Sequence, residues 1–320
     1  AVTYGTGMNL IREVDGKYKT VKFSNASANS NTMDTSALMA SSTGVGGSVY
    51  PIDRNGKQSF LKKNYKLLAG SYPTKDTDIV IIADRDNKVN INGLKNLGFK
   101  VSEEENLSFD KLVGTTVKMV ANDDFYQKLP TGNYVPASDY AAMAKAGQTK
   151  TLHVTAVLRV KSKNSDGLLA SGLAYSDRLT KLALTTNENS AIVKAQKANP
   201  TKNIMTGAAM DATTESGMLT TLGATKTPTS IQIYPTNFKR KDKVLSYLDK
   251  WNKGKKKADK VVYTDMAGTV SDMTGGLMDA ITYVLVAFAA ISLVTSMIMI
   301  AILTYTSVLE RTKEIGVLKA

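Results

Sequence analysis

The stretch AITYVLVAFAAISLVTSMIMIAILTYTSVL, Ala280 to Leu309, contains no charged residue over 30 positions. As one helix it runs about 45 Å at about 1.5 Å per residue, more than the ~30 Å hydrocarbon core of a bilayer. Tilt, or an extension past the membrane at one end, absorbs the excess. A soluble protein would have to bury such a helix on every side along its whole length, so the sequence predicts a membrane span. Within it Ser292, Thr295, Ser296, Thr304 and Thr306 are small or weakly polar. They suit close approach of another helix in lipid, and equally suit hydrogen bonding to their own backbone.

The flanks give a direction. No Lys or Arg lies between Val261 and Leu309, and Asp265, Asp272 and Asp279 precede the span. Arg311, Lys313 and Lys319 follow it directly. By the positive-inside rule the C-terminal side is cytoplasmic, in the cell membrane, and residues before about 280 are extracytoplasmic. A long translocated domain is largely exempt from that rule, so its own basicity is no objection.

Further outward, Ile291–Ala320 (ISLVTSMIMIAILTYTSVLERTKEIGVLKA) closely resembles the MacB/FtsX-type ABC transporter permease family. There the second transmembrane helix ends in a cytoplasmic signature of the form ERTKEIGVLRA. Glu310 to Leu318 match it at every position, and Lys319 stands where Arg is more usual. Val261–Asp265 is similar to the family's strand before the stalk helix. Ser230–Asn252 is similar to its strand and basic helix ending in a Trp-Asn pair.

The resemblance implies a bacterial permease of the mechanotransmission type, with other transmembrane helices outside this stretch of chain. It would move its extracytoplasmic domain in response to cytoplasmic ATP hydrolysis, for export. The alternative it leaves open is an FtsX-like regulator of an extracellular cell-wall hydrolase, with nothing transported. Expected partners are a cytoplasmic ABC ATPase, a second permease copy or paralogue, the membrane, and an extracellular accessory protein. The chain is expected to be no enzyme itself: no catalytic, cofactor or metal residues are assigned, and ATP and Mg are expected on the ATPase. Glu310, Arg311, Lys313, Glu314 and Gly316 are the candidate coupling residues, against the plainer reading that their charges anchor the helix at the membrane surface.

Before the span the pattern is α+β. Thr151–Val160 alternates, with Leu152, Val154, Ala156, Leu158 and Val160 expected on one buried face and His153 on the other. Tyr18–Phe23, Ile79–Ile82 and Thr116–Val120 are further strand candidates, and Ser24–Ser48 reads as a Gly- and Ser-rich loop. Helices are predicted from a Ser176 cap through Leu184, over Ser190–Lys197, and over Glu215–Leu222 with Gly223 as the stop. Lys239–Asn252 carries Val244, Leu245, Leu248 and Trp251 on one stripe. Flanked by Ile231–Tyr234 and Val261–Tyr263, it is expected to form a strand–helix–strand unit. The family implies a two-lobed extracytoplasmic domain. A membrane-proximal α+β lobe would join 1–68 with 225–271, a membrane-distal lobe of 69–224 would be inserted, and a stalk and transmembrane helix (272–309) and the start of a cytoplasmic coupling segment (310–320) would follow.

Composition narrows the chemistry. The 320 residues include no Cys and a single His, which removes thiolate nucleophiles, zinc clusters and His-based triads. The net charge of +13 is concentrated: Lys239–Lys260 holds ten basic residues against three acidic ones. Lys253, Lys255, Lys256 and Lys257 are therefore candidates for contact with an anionic surface, either lipid headgroups or a cell-wall polymer, against the plainer reading of a solvated helix and loop. No nucleic-acid partner is expected, since no groove-reading motif accompanies the charge.

Other motifs fall away. No phosphate-binding Gly-x-x-x-x-Gly-Lys occurs, and Gly5-Thr6-Gly7 lacks the dinucleotide spacing. Asp84–Asn90 superficially follows a calcium loop, but Lys88 and Val89 sit where a ligand and Gly are required. Ser59-x-x-Lys62 lacks the partner motifs of a serine acyltransferase. Glu103–Glu105 and Asp123-Asp124 read as solvated faces. Asn25-Ala26-Ser27 and Asn106-Leu107-Ser108 fit the glycosylation pattern, which applies only in a eukaryotic secretory context.

Overall fold

A computed structural model describes residues 1–23, 47–53, 59–102, 106–161 and 168–318. In chain order the elements are β1 (Val2–Thr3), β2 (Asn9–Val14), β3 (Lys17–Val21), β4 (Ser48–Tyr50), α1 (Ser59–Asn64), β5 (Tyr65–Gly70), β6 (Asp78–Ala83) and α2 (Ile91–Asn96). Then come β7 (Thr116–Val120), α3 (Asn122–Phe125), β8 (Tyr126–Lys128), β9 (Tyr134–Pro136), α4 (Tyr140–Lys145), β10 (Lys150–Val160) and β11 (Gly172–Ser176). The chain continues through α5 (Asp177–Asn187), α6 (Ala191–Lys197), α7 (Ala212–Thr221), β12 (Ser230–Ile231), α8 (Phe238–Asn252) and α9 (Met266–Leu318). Helix and strand are mixed, and the chain ends in one long apolar helix.

Strand β10 organises the main sheet. Its first half pairs antiparallel with β7, its second half antiparallel with β5, and its opposite edge runs parallel to β6. The full order among the described residues is β3-β2-β7-β10-β6-β11-β4, with β5 beside β10. β6 (DIVIIA) is buried at all six positions. A continuous apolar run of this kind belongs to a strand covered on both faces. Ile79 and Ile81 enter one core with Leu152, Val154, Val157 and the α5 residues Leu179 and Ala183. Val80 and Ile82 enter a second core with Tyr50, Leu61, Ala156 and Leu158.

That division corrects the expected one-faced pattern of β10. Its pairing with β6 shifts register between Val154 and Ala156. The extra residue at this bulge flips the following side chains. Leu152, Val154 and Val157 therefore share one core, while Ala156 and Leu158 face the other. His153 is exposed, as expected.

The helices forecast from capping and periodicity are found as α5, α6, α7 and α8, and Gly223 after α7 has φ of +81°. Ser176 stands at the N-cap of α5, but its hydroxyl makes no capping bond. The strand expected over Ile231–Tyr234 is limited to Ser230–Ile231, paired antiparallel with β1. Val261–Tyr263 forms no strand. Residues 24–46, Glu103–Glu105 and Asn25–Ser27 lie outside the described residues.

The chain divides into two compact units, Ala1–Tyr234 and Pro235–Ala320. The boundary expected at 68/69 runs instead through one sheet, because β2 and β3 join β7 and β10 there. The physical reason is ladder pairing, which neither composition nor spacing records.

Candidate functional site

In the unit Pro235–Ala320, α8 begins at Asn237, whose side chain accepts from the Arg240 N–H (2.9 Å). The face turned to the chain that follows is clasped at three points. Asn252 Nδ2 donates to the Val261 carbonyl (2.8 Å), and the Val261 N–H donates back to Asn252 Oδ1 (2.8 Å), a side-chain imitation of a strand pair. The Tyr263 hydroxyl donates to Asp249. Lys241 Nζ donates to Asp265 Oδ2 at 2.6 Å and is only 15% exposed. The bond to Asp265 raises the pKa of Lys241, so the pair holds as an ion pair through neutral pH. Residues 261–265 thus run back along α8 from its C-terminal to its N-terminal part.

Asp265 then starts α9. Its Oδ1 accepts from the Gly268 N–H (2.9 Å), and a Cβ at Gly268 would lie 2.3 Å from Asp265 Oδ2. A side chain there would push the Asp265 carboxylate from this position. α9 runs unbroken for 53 residues, about 80 Å. Among the described residues it is the one helix long and apolar enough to cross a membrane, over Ser271–Leu318. The hydroxyls of Thr295, Ser296 and Thr304 donate to carbonyls four residues earlier. Local bonding to the backbone is thus present at these three residues.

The coupling candidates stand on the last turns of α9. Glu310, Arg311 and Gly316 are exposed, and nothing lies within 4 Å of a Cβ built on Gly316. Lys313 and Glu314 are helical, so Glu310 is three and four residues from them on one face. No described residue gathers these groups into a site.

The basic cluster is arranged differently from its sequence. Lys253, Lys255, Lys256 and Lys257 lie in the segment beyond α8, the last of them opening a 3-10 helix (Lys257–Asp259), with Lys255 Nζ 3.6 Å from the centre of the Trp251 ring. On α8, Val244, Leu245 and Leu248 are half-buried with Lys241 and Asn252. Trp251, expected on that apolar stripe, is instead 50% exposed. At about 100° per residue, Lys239, Lys250, Lys243, Tyr247, Arg240 and Trp251 fall within about 120° of arc on the opposite side. All six are exposed. The sequence count found the charge, but the interleaved aromatic face emerges only once the clasp fixes which side of α8 is covered.

In the unit Ala1–Tyr234 several of the polar motifs noted in the sequence hold local structure. Asp84 Oδ1 accepts from the Asp86 and Lys88 N–H groups, so the apparent calcium loop is a turn closed on itself. No group of three metal-ligating side chains occurs among the described residues. Asp123 and Asp124 are not simply solvated: Asp123 accepts from the Ala191 N–H at the head of α6 (2.7 Å), and Asp124 is half-buried with its pKa raised by desolvation. Thr6 is buried and Gly7 donates to the Thr221 carbonyl (2.7 Å), which makes Gly5-Thr6-Gly7 a packing element. Burial, and after it the charges of Asp78, Asp177 and Asp76, raise the Tyr50 pKa; Asp76 is engaged by Arg178, Asp78 by the Thr74 and Lys75 N–H groups and Asp177 by the Val2 N–H.

No protein-family model matches the chain, and the searches of curated proteins and of solved structures return no match either.

Proposed function

We propose that this chain is the extracytoplasmic domain and one transmembrane helix of an ABC transporter permease, working by mechanotransmission. The observation that carries the reading is continuity. One unbroken helix joins Asp265, clasped to α8, to Glu310–Leu318, the segment that resembles the permease signature. Displacement at its cytoplasmic end is carried toward the clasped α8 module through a helix without Pro or a π-bulge, in which Gly275-Gly276 is the weakest point. Glu310, Arg311, Lys313, Glu314 and Gly316 would lie where a partner ATPase acts. The charge asymmetry about the span supports an extracytoplasmic position for residues before about 280.

Two measurements on the full-length protein in cells test this. With no native Cys, Ser246→Cys on exposed α8 should react with a membrane-impermeant thiol reagent, and Val317→Cys should be protected. Affinity purification should recover an ABC ATPase, and Glu310→Ala with Glu314→Ala should lower its stimulation while leaving expression unchanged. Reversed labelling removes the orientation. Normal ATPase stimulation in the double variant reduces Glu310 and Glu314 to membrane anchors.

A further inference from the structure

The outer face of α8 combines features that neither a solvated helix nor a membrane anchor requires. Lys239, Arg240, Lys243 and Lys250 have no carboxylate within ion-pairing distance among the described residues. Of the module's carboxylates, Asp249 takes Tyr263 and Asp265 takes Lys241 on the inner side, while Asp242 stands 69% exposed on α8 with Lys241 Nζ 3.8 Å away. Two large rings interrupt the cations, Tyr247 at 64% and Trp251 at 50% exposure. Lys255 Nζ lies over the Trp251 ring.

The arrangement is a row. Lys239, Lys243, Tyr247 and Trp251 follow one another at four-residue steps of about 6 Å, and Lys239 to Lys250 spans about 16 Å. A single anionic headgroup is held by donors converging on one point; a row of separated cations matches charges repeated along a chain. Lysines outnumber arginines on this face three to one. Lysine binds phosphate as a point charge and arginine pairs with it bidentately, so both cation types on this face suit phosphate. Exposed Tyr and Trp offer flat apolar faces with a polar edge, on which sugar or polyol segments between phosphates can lie.

The clasp that holds α8 stands off the bilayer surface. Between the clasp at Asp265 and the uncharged span lie fourteen residues of α9, Met266–Asp279, a rise of about 21 Å. At 40° of tilt this is still about 16 Å. The headgroup layer extends only about 6 Å beyond the hydrocarbon, and the Debye length at physiological salt is about 8 Å. The intervening segment also carries Asp272 and Asp279, the wrong sign for a lipid-binding stalk.

We propose that the outer face of α8 binds a linear phosphodiester-linked polyol or sugar polymer outside the membrane. The word "outside" rests on the orientation under Proposed function; the recognition chemistry does not.

The test uses the full chain in nanodiscs of zwitterionic phosphatidylcholine, titrated with a fluorescent poly(glycerol phosphate) chain at several salt concentrations. Binding should weaken with salt with a log–log slope of about −3 if four phosphates are neutralised. Lys239→Gln, Arg240→Gln, Lys243→Gln and Lys250→Gln together should flatten that slope to near zero. Trp251→Ala, which leaves charge unchanged, should weaken binding about tenfold, and Trp251→Phe should restore most of it. A control removing four charges elsewhere (Lys63→Gln, Lys66→Gln, Lys95→Gln, Lys145→Gln) should leave affinity within about twofold. Circular dichroism checks that each variant is folded. Absence of binding, an equal loss in the control, or indifference to Trp251 overturns the proposal. So does binding only when the discs contain anionic phosphatidylglycerol, which makes the ligand a membrane. Preference for single-stranded DNA of equal phosphate number by about tenfold or more makes it a nucleic acid and also overturns the proposal. If Ser246→Cys labels only from the cytoplasm, the orientation falls while this titration still reports on the face itself.

Discussion

Tyr50 on β4 is fully buried, and its hydroxyl has no hydrogen-bond partner among the described residues. A buried unsatisfied hydroxyl costs about 1–3 kcal/mol, while the ring fills the core equally well without it. Tyr50→Phe should therefore raise the free energy of unfolding by about 1 kcal/mol in a urea titration. A loss of that size would show that the hydroxyl has a partner. The buried tyrosines also set a pH dependence. Burial pushes the Tyr50, Tyr65 and Tyr175 hydroxyls far above the ordinary value, and Tyr234 up to about 12. A folded-state pKa raised in this way gives stability that is full below about pH 10 and declines above it. Each such tyrosine removes up to about 1.4 kcal/mol per pH unit, because the unfolded chain releases a proton that the fold retains. Unfolding titrations from about pH 8 to about pH 11 should show stability flat and then falling steeply, and a flat profile throughout would contradict the burial. At this scale Ser176 marks the limit of reading from sequence. Its type and position name an N-cap, but the hydroxyl is buried without a capping bond, so Ser176→Ala should cost less than the usual ~1 kcal/mol.

Strand β10 and its neighbours depend on one glycine. Gly70 ends β5 at φ +77°, and a Cβ there would lie 2.1 Å from the Thr155 carbonyl oxygen, at the residue where β10 bulges against β6. That carbonyl also accepts from the Ser71 N–H at 2.8 Å, so it cannot retreat without losing a bond. Gly70→Ala should destabilise by more than about 2 kcal/mol, combining backbone strain with a clash against backbone. Gly132→Ala is the comparison: φ is +89° but nothing lies within 4 Å, so only the conformational cost of about 1 kcal/mol is expected. Equal thermal shifts for the two variants would remove the role of the bulge. In α8 the element-scale device is Asn252. Asn252→Ala removes both bonds to Val261 and should speed amide exchange at Val261 and at the C-terminal turn of α8. Unchanged exchange would mean that the Tyr263–Asp249 and Lys241–Asp265 bonds hold the module alone.

The first compact unit ends at Tyr234 in the chain, and the main sheet, its covering helices and the β1–β12 pair all lie before that point. Residues 1–234 alone should therefore be soluble without detergent and unfold cooperatively, as judged by circular dichroism and size-exclusion chromatography. Aggregation or a non-cooperative melt would show that the sheet needs the second unit. The pairing of Val2–Thr3 with Ser230–Ile231 joins residues more than 220 positions apart, and deleting residues 1–3 from this fragment should lower its midpoint.

The sequence by itself determined the long terminal helix, the four later helices, and β6 and β7, because each is written in local terms: an uncharged run, a 3.6-residue stripe, a glycine stop, an apolar block. It also located the positive charge of Lys239–Lys260 and the signature-like Glu310–Leu318. Only the tertiary structure decided which strands share a sheet, that residues 1–68 do not stand apart from 69–224, and that β10 serves two cores. The reason is that a ladder joins positions distant in sequence, and a single inserted residue reverses every side chain beyond it. The same holds for α8. Its stripe of charge is legible from spacing, but Lys241, Asn252 and Asp249 had to meet Asp265, Val261 and Tyr263 before Trp251 and Tyr247 could be placed on the free face.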